Sequence, residues 1–537
     1  MKISGKIIDV HNSLIYRGIV YFENGKIDKI ERSEDTSDQF ILPGLIDAHI
    51  HIESSMITPG SFARAAVSRG TTAVVSDPHE IANVLGIEGV KFMINDSKKV
   101  PLKFYFGAPS CVPATSFERS GGVLDTSDIQ ELMKLPEIKY LSEMMNFPGV
   151  IHEDPDVIEK IFIAKAEGKP IDGHAPGLRG EQLQKYVRAG ISTDHECSTI
   201  EEAKEKISLG MKVLIREGSA ARNLDALKDL YSSNPEMIML CSDDLHPEML
   251  AKGHINKLVS KLVTEGYDLF DVLRSCTVNP ARHYNLNTGL LQPGQPADFI
   301  TVDDYRSMNV TSTWIDGVKV FSGKVLFDHE EPLPVNNFNC SVISNKDIIV
   351  KGREGKMRVI EAIDKELFTY EITAEVKGGS QVEADPVNDI LKIIVKDRYD
   401  DSPPAIGFIR GFGLKKGAFA SSVAHDSHNI ICVGTNDEDI VLAVNEIVRL
   451  KGGLAVASGG KVTSLQLKIA GIMSEQSCEK VAKSYESLSQ RVKDHGCTLS
   501  APFMTLSFMA LLVIPELKIS DSGLFDGNKF CHVPLFI

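Results

Sequence analysis

Between residue 44 and about residue 285 the chain repeats one unit, and that repeat restricts its fold more than any other feature. An apolar strand-like run is followed by a loop and then, in most units, by an amphipathic helix-like run. The strand-like runs are GLIDAHI, TTAVVSD, LKFYFGA, IKYLSEM, PIDGH, ISTDH, KVLIRE and MIMLCSD. Among the helical runs are TPGSFARAAVSRG and LRGEQLQKYVRAG, the second ending on a glycine C-cap at Gly190. Eight such units over about 240 residues match a TIM-like (β/α)₈ barrel. A doubly wound open sheet has the same local grammar, because periodicity does not report closure.

The flanks read differently. Residues 1–43 contain KISGKIIDV, SLIYRGIVYF and KIDKIE, with Asn24-Gly25 as a type I′ hairpin signal. The same grammar returns in ADFITVDD, TSTWIDGVKVF and KVLF, with tight turns at Asp316-Gly317 and Ser322-Gly323. Neither piece alone makes a stable sheet, so residues 1–43 and 286–331 are expected to build one small composite β-sandwich around a barrel of residues 44–285. After the linker-like PLPVNNFN, residues 340–537 read as a C-terminal α+β domain. Its strands are expected in KDIIVK, KMRVIEAI and LKIIVK, and its helices over 438–450 and 475–492.

Composition narrows the function classes. The chain has 58 Lys plus Arg against 73 acidic residues and a formal net charge of -15, the opposite of a nucleic-acid footprint. Its nine cysteines form no C-x-x-C pair, which argues against a disulfide framework and a thiolate zinc site. MKISGKIIDV carries charge where a signal peptide needs an apolar core, and the most apolar stretch, around 507–517, is short for a bilayer span. A cytoplasmic protein without membrane or nucleic-acid partners is expected.

The chemistry sits at the carboxyl ends of the strand-like runs, where barrel enzymes carry their sites. Residues two apart on a strand face the same way, so His49 and His51 of DAHIH can share a metal, although H-x-H alone also fits a polar turn. His174 closes PIDGH, His195 closes ISTDH and Asp243 closes MIMLCSD. Glu143, after IKYLS, can offer its two oxygens to two cations. A carbamylated Lys139 is the rival bridge, but it stands at the other end of that strand. Imidazole and carboxylate donors without thiolate suit manganese, iron or zinc. Asp77 and His79 of SDPHE fall near the same rim, as relays or as loop caps. Glu53 continues the inward alternation, toward substrate or as a helix-start carboxylate. His425, Asp426 and His428 in AHDSH look like a site or a solvated loop. GFGLKKG carries only a weak phosphate-loop signal, since no G-K-[ST] follows.

PGLIDAHIHIESS, SDPHEIANV, SEMMNFPGVI, DGHAPGL, STDHE, CSDDLHP and GFGLKKGAFASSVAHDSHNI, in that order, resemble the bacterial adenine deaminases of the amidohydrolase superfamily over essentially the whole chain. The resemblance implies a TIM-like barrel, a composite β-sandwich, a C-terminal domain beside the site, and hydrolysis of adenine to hypoxanthine and ammonia. It also implies two divalent cations, manganese before iron or zinc, held by His49, His51, Glu143, His174, His195 and Asp243. The other deaminase design, one zinc held through H-x-E and P-C-x-x-C, has no matching cysteines here.

On this reading a hydroxide bridging the two cations attacks C6 of adenine, and Asp243 carries its proton to the departing amine. Glu143 bridges the metals, and Asp77 joins these two as a catalytic residue. Glu53, His79, His425, Asp426 and His428 are substrate-contact candidates, with the AHDSH loop over the barrel mouth. The only partner expected beyond the purine is a second copy in a homodimer. Hydrolysis of a cyclic amide or N-acyl substrate is the enzymatic alternative, because metal ligands do not fix substrate. A catalytically dead scaffold would have lost ligands, and here every expected position is filled.

Overall fold

Both ends of the barrel segment contribute to one continuous sheet. In a computed structural model of the chain, which describes residues 1–219, 222–379 and 381–537, four N-terminal strands come first. They are β1 (Lys2–Asp9), β2 (Leu14–Glu23), β3 (Lys26–Arg32) and β4 (Phe40–Pro43). They join β13 (Phe299–Val302), β14 (Val310–Ile315) and β15 (Val318–Phe321) in the order β15-β14-β13-β4-β1-β2-β3. The seam is the antiparallel pair β13–β4, in which Phe299 opposes Pro43. Asn24 and Gly25 have φ of 49° and 79°, and Asp316 and Gly317 have φ of 47° and 71°, the positive pairs that a type I′ turn requires. One face buries Ile7, Val20, Phe22, Ile27, Ile41 and Phe299 as a small core.

Between the two ends lie eight parallel strands. These are β5 (Leu45–Ile50), β6 (Thr71–Ser76), β7 (Lys103–Ala108), β8 (Ile138–Met144), β9 (Ile171–Gly173), β10 (Thr193–Asp194), β11 (Lys212–Arg216) and β12 (Ile238–Cys241). β5 to β9 form one curled sheet and β10 to β12 another. The two meet along both edges. Asp243 N donates to His49 O at 3.0 Å beside an Ile50–Asp243 bridge, and Ser192 N donates to Ile171 O at 2.9 Å. Ala48, Val75, Tyr140, Leu214, Met239 and Cys241, from β5, β6, β8, β11 and β12, pack into one interior cluster with Tyr284. Side chains from strands so distant in sequence thus meet between the two curled sheets, as barrel-interior residues do.

The C-terminal region carries an eight-stranded sheet with the helices Asp437–Leu450 and Cys478–Asp494. It shares an apolar core with the barrel, in which Ile57, Phe62 and Met144 belong to the same cluster as Phe419, Met473 and Phe508. Two strand expectations need correction. Asn345–Ile348 is a 3₁₀ turn with a Ser344–Asp347 capping box, leaving only Val350–Lys351 extended, so the cap outweighs the apolar run KDIIVK. KVLF contributes a single bridge at Val325 instead of a strand. In GFGLKKG, Gly411 N and Gly413 N donate to Asp389 at 2.8 and 2.7 Å, so an internal carboxylate already occupies those amides.

Among the described residues no helix is long and apolar enough to cross a membrane. All nine cysteines are free, and eight of them are buried.

Candidate metal centre

The strand ends bring six side chains together. β5 ends at Ile50 between His49 and His51, whose Nε2 atoms lie 3.2 Å apart. Across the seam, Asp243 Oδ1 lies 3.2 Å from His51 Nε2 and 3.8 Å from His49 Nε2. Asp243 adopts φ of 55°, a left-handed conformation that aspartate tolerates better than most residues. From β8, Glu143 divides its oxygens. Oε1 lies 3.5 Å from His51 Nε2, while Oε2 lies 2.8 Å from His174 Nδ1 and 3.0 Å from His195 Nε2. His174 Nδ1 and His195 Nε2 are themselves 3.3 Å apart.

This donor set fits divalent cations. Bonds of about 2.1 Å in a tetrahedral shell separate neighbouring donors by about 3.4 Å, the scale of these distances. Imidazoles 3.2 and 3.3 Å apart would repel if protonated, whereas a cation between them stabilises both. Glu143, with one oxygen toward each histidine group, has the geometry of a bridge. Lys139 instead lines a separate surface pocket with Lys169 and Pro170.

The electrostatics keep the carboxylates ionised. Burial pushes Glu143 up, but His174 and His195 outweigh it and hold the group well below its usual range. Burial likewise raises Asp243, and Arg216 and His51 reverse the shift. His49 is pushed well below its usual value by burial and then by its neighbours His195 and His51, whereas for His174 and His195 burial is overcome by the neighbouring carboxylates, which hold them above theirs.

Hydrogen bonds behind the donors fix their positions. Buried Lys206 Nζ donates to Ala175 O at 2.7 Å and Asp194 Oδ2 at 2.9 Å, tying together the loops that carry His174 and His195. Asp47 accepts from Ser242 N at 3.0 Å and lies 2.8 Å from His254 Nε2, which holds the segment before Asp243.

A small cavity opens on this cluster. On the barrel side it is lined by His51, His79, Glu80, Glu143, Met145, His174, His195, Glu196, Arg216, Asp243 and Asp244. On the other side it is roofed by Leu367, His425, Asp426, Phe508 and Leu511 of the C-terminal region. The AHDSH loop therefore lies over the barrel mouth. Of the other expected residues, Asp77 does not reach the cavity; its Oδ2 lies 3.1 Å from His79 Nδ1. Glu53 also stands back, accepting from Ile81 N at 3.2 Å. His428 lies behind the lining, its Nε2 in contact with Glu80.

Three site residues were not read from the sequence. Arg216 contacts Asp243 through Nη1 and Glu196 through both Nη1 and Nη2. Glu196 Oε1 lies 3.6 Å from His174 Nδ1 and 3.5 Å from His195 Nε2. The strand-end rule that found the histidines would have found Arg216, which ends KVLIR. Glu80 is a third residue of this kind, one position after His79.

Residues 40–320 match the amidohydrolase family and residues 366–531 match the adenine deaminase C-terminal domain. The chain is 53% identical over 551 residues to an adenine deaminase of Methanosarcina mazei, covering 100% of this chain and 99% of that one. It is 52% identical over 532 residues to an adenine deaminase of a Sulfurovum species, covering 99% of this chain and 98% of that one. The chain belongs to the adenine deaminases of the amidohydrolase family. Among solved structures, a β-aspartyl dipeptidase of Fervidobacterium islandicum superposes with a TM-score of 0.49 at 18% identity, over 62% of this chain and 100% of that one. The amidohydrolase match contains all six clustered donors, and every roof residue lies in the match to the adenine deaminase C-terminal domain.

Proposed function

We propose that this chain hydrolyses adenine to hypoxanthine and ammonia, with His49, His51, Glu143, His174, His195 and Asp243 holding two divalent cations, manganese first among them. The observation that carries the reading is the full-length match to adenine deaminases at 53% identity. Cations held there would supply the Lewis acidity that makes water a nucleophile at neutral pH.

The chain's own residues do the rest. Asp243, kept ionised by Arg216, accepts a proton from the water attacking C6 and delivers it to N6 as the C6–N6 bond breaks. One water is consumed and one ammonia leaves, the water's other proton ending on N1 of hypoxanthine. Leu367, Phe508, Leu511 and Met145 supply apolar surface for a planar ring, and the roof keeps bulk water from the reacting carbon. His79, His425 and Asp426 are on the cavity wall, and His425 and Asp426 supply polar groups toward the ring from the roof. Asp77 acts through His79 as a positioning residue.

The enzyme is a cytoplasmic homodimer on this reading, a setting consistent with nine free cysteines. Light scattering and cell fractionation test those two points. Function is tested by steady-state turnover of adenine, adenosine, guanine and cyclic amides with manganese supplied. Adenine is expected to dominate. A preference for a cyclic amide would overturn the assignment.

A further inference from the structure

Beside the six-residue cluster, and sharing none of its donors, lies a second group of ligand-type side chains at the junction of barrel and C-terminal region. His79 Nε2 lies 3.7 Å from Glu80 Oε1 and 3.9 Å from Asp426 Oδ1. His425 Nδ1 lies 3.8 Å from Asp426 Oδ1 and touches Glu80 Oε1. His79, Glu80, His425 and Asp426 are each at most 4% exposed. We propose that these four residues form a further divalent-cation site that fastens the AHDSH loop to the barrel mouth.

Three independent observations support it. The first is spacing. Four donors around one ion at about 2.1 Å stand about 3.4 Å apart, and the wider separations here close to that with a shift of a few tenths of an ångström. The second is satisfaction. Buried Asp426 Oδ2 and His428 Nδ1 make no hydrogen bond, while Glu80 Oε2 and His428 Nε2 have only each other. A buried carboxylate oxygen left without a partner is rare, and a bound cation would satisfy it. The third is charge. Among the described residues, Glu80 and Asp426 have only histidines within ion-pair distance, and no lysine or arginine. Asp243 and Glu196, on the other side of the cavity, have Arg216.

The residues behind the group fit the same role. Asp77 Oδ2 stands 3.1 Å from His79 Nδ1, so Nε2 is the nitrogen turned to the ion, the arrangement in which a carboxylate orients a ligating imidazole. His425 is held flat against Phe508 at 5.1 Å between ring centroids. Two imidazoles and two carboxylates without thiolate select manganese, iron or zinc. Because His79 and Glu80 begin a barrel helix while His425 and Asp426 belong to the roof, the ion couples roof closure to metal occupancy.

The test is a count and a position. Full-length protein stripped with a chelator is dialysed against manganese and its metal measured. Asp426→Asn and His425→Ala are each expected to bind one equivalent per chain fewer than wild type, whereas His49→Ala retains that equivalent and loses others. Equal manganese in wild type and both roof variants overturns the proposal, whatever the total count. Should the roof variants fail to fold, crystals of the wild-type chain saturated with manganese decide. An anomalous peak between Glu80 and Asp426 is expected, separate from any peak beside His49. No peak there after saturation means that protonated imidazoles alone neutralise the carboxylates, and the proposal falls.

Discussion

Lys518 gives a prediction whose size follows from the structure. The residue is fully buried on the strand Leu517–Ser520, and its Nζ donates to Leu367 O at 2.7 Å and Phe508 O at 3.1 Å. Both acceptors belong to residues of the cavity roof. A neutral amine has two N–H donors, which these two carbonyls satisfy, whereas an ammonium would leave its charge buried. Burial accordingly pushes the amine down from 10.5 to about 7. The unfolded chain therefore binds more protons than the fold between pH 7 and 10.5, so stability rises with pH across that window. Below pH 7 the whole penalty is present, and above 10.5 it is gone. At 1.36 kcal/mol per pH unit the full span is about 5 kcal/mol. Lys518→Met removes this dependence while leaving two carbonyls unpaired, at about 1–3 kcal/mol each. Thermal or urea unfolding of both proteins from pH 7 to pH 10 measures it. The stability difference, wild type minus variant, is expected to climb by more than 1 kcal/mol per pH unit over the middle of the range. A difference that does not change with pH refutes the buried neutral amine and the roof packing derived from it.

Three further substitutions and one extraction probe other parts of the molecule. Asp243→Asn is expected to lower kcat for adenine by a factor on the order of 10²–10⁴, followed by ammonia release; near-normal kcat removes Asp243 from proton transfer. Lys206→Met loosens the loops bearing His174 and His195 and is expected to weaken metal retention by about 10–100-fold in a competition titration with a chelating dye. Gly107→Ala places a Cβ 2.2 Å from Ser142 Oγ and 2.7 Å from the Tyr140 ring inside the barrel, and unfolding is expected to show a loss of about 1–3 kcal/mol. Chelation is expected to lower the melting temperature, since free metal at about 100 times its Kd stabilises each site by about 2.7 kcal/mol; equal melting curves with and without chelator speak against bound metal.

Much of the architecture was legible because the barrel has a rule. The carboxyl end of each strand faces one mouth, so His49, His51, Glu143, His174, His195 and Asp243 could be assembled from their positions after apolar runs. The structure brings those six together. The same rule applied to KVLIR would have exposed Arg216, but an arginine ending an apolar run also reads as a surface charge. Glu80 was hidden for another reason. Its partners His425 and His428 lie more than 300 residues away, and no local pattern encodes that meeting. Glu53 obeys the inward alternation only until the 3₁₀ turn Ile52–Ser55 begins, after which period two no longer describes where a side chain points. KDIIVK read as a strand because its apolar residues dominate, while the Ser344–Asp347 box sets the backbone. The two ends of the barrel segment were readable as one sheet because neither has enough surface to stand alone. That β5 meets β12, by contrast, is a long-range fact.

The central claim is that bound metal and this cluster together deaminate adenine. Protein stripped of metal and then reloaded with manganese is assayed for ammonia and hypoxanthine from adenine. No turnover is expected when stripped, and restored turnover with the two products in equal amounts is expected on reloading. Turnover by the stripped protein, or none after reloading, would contradict it.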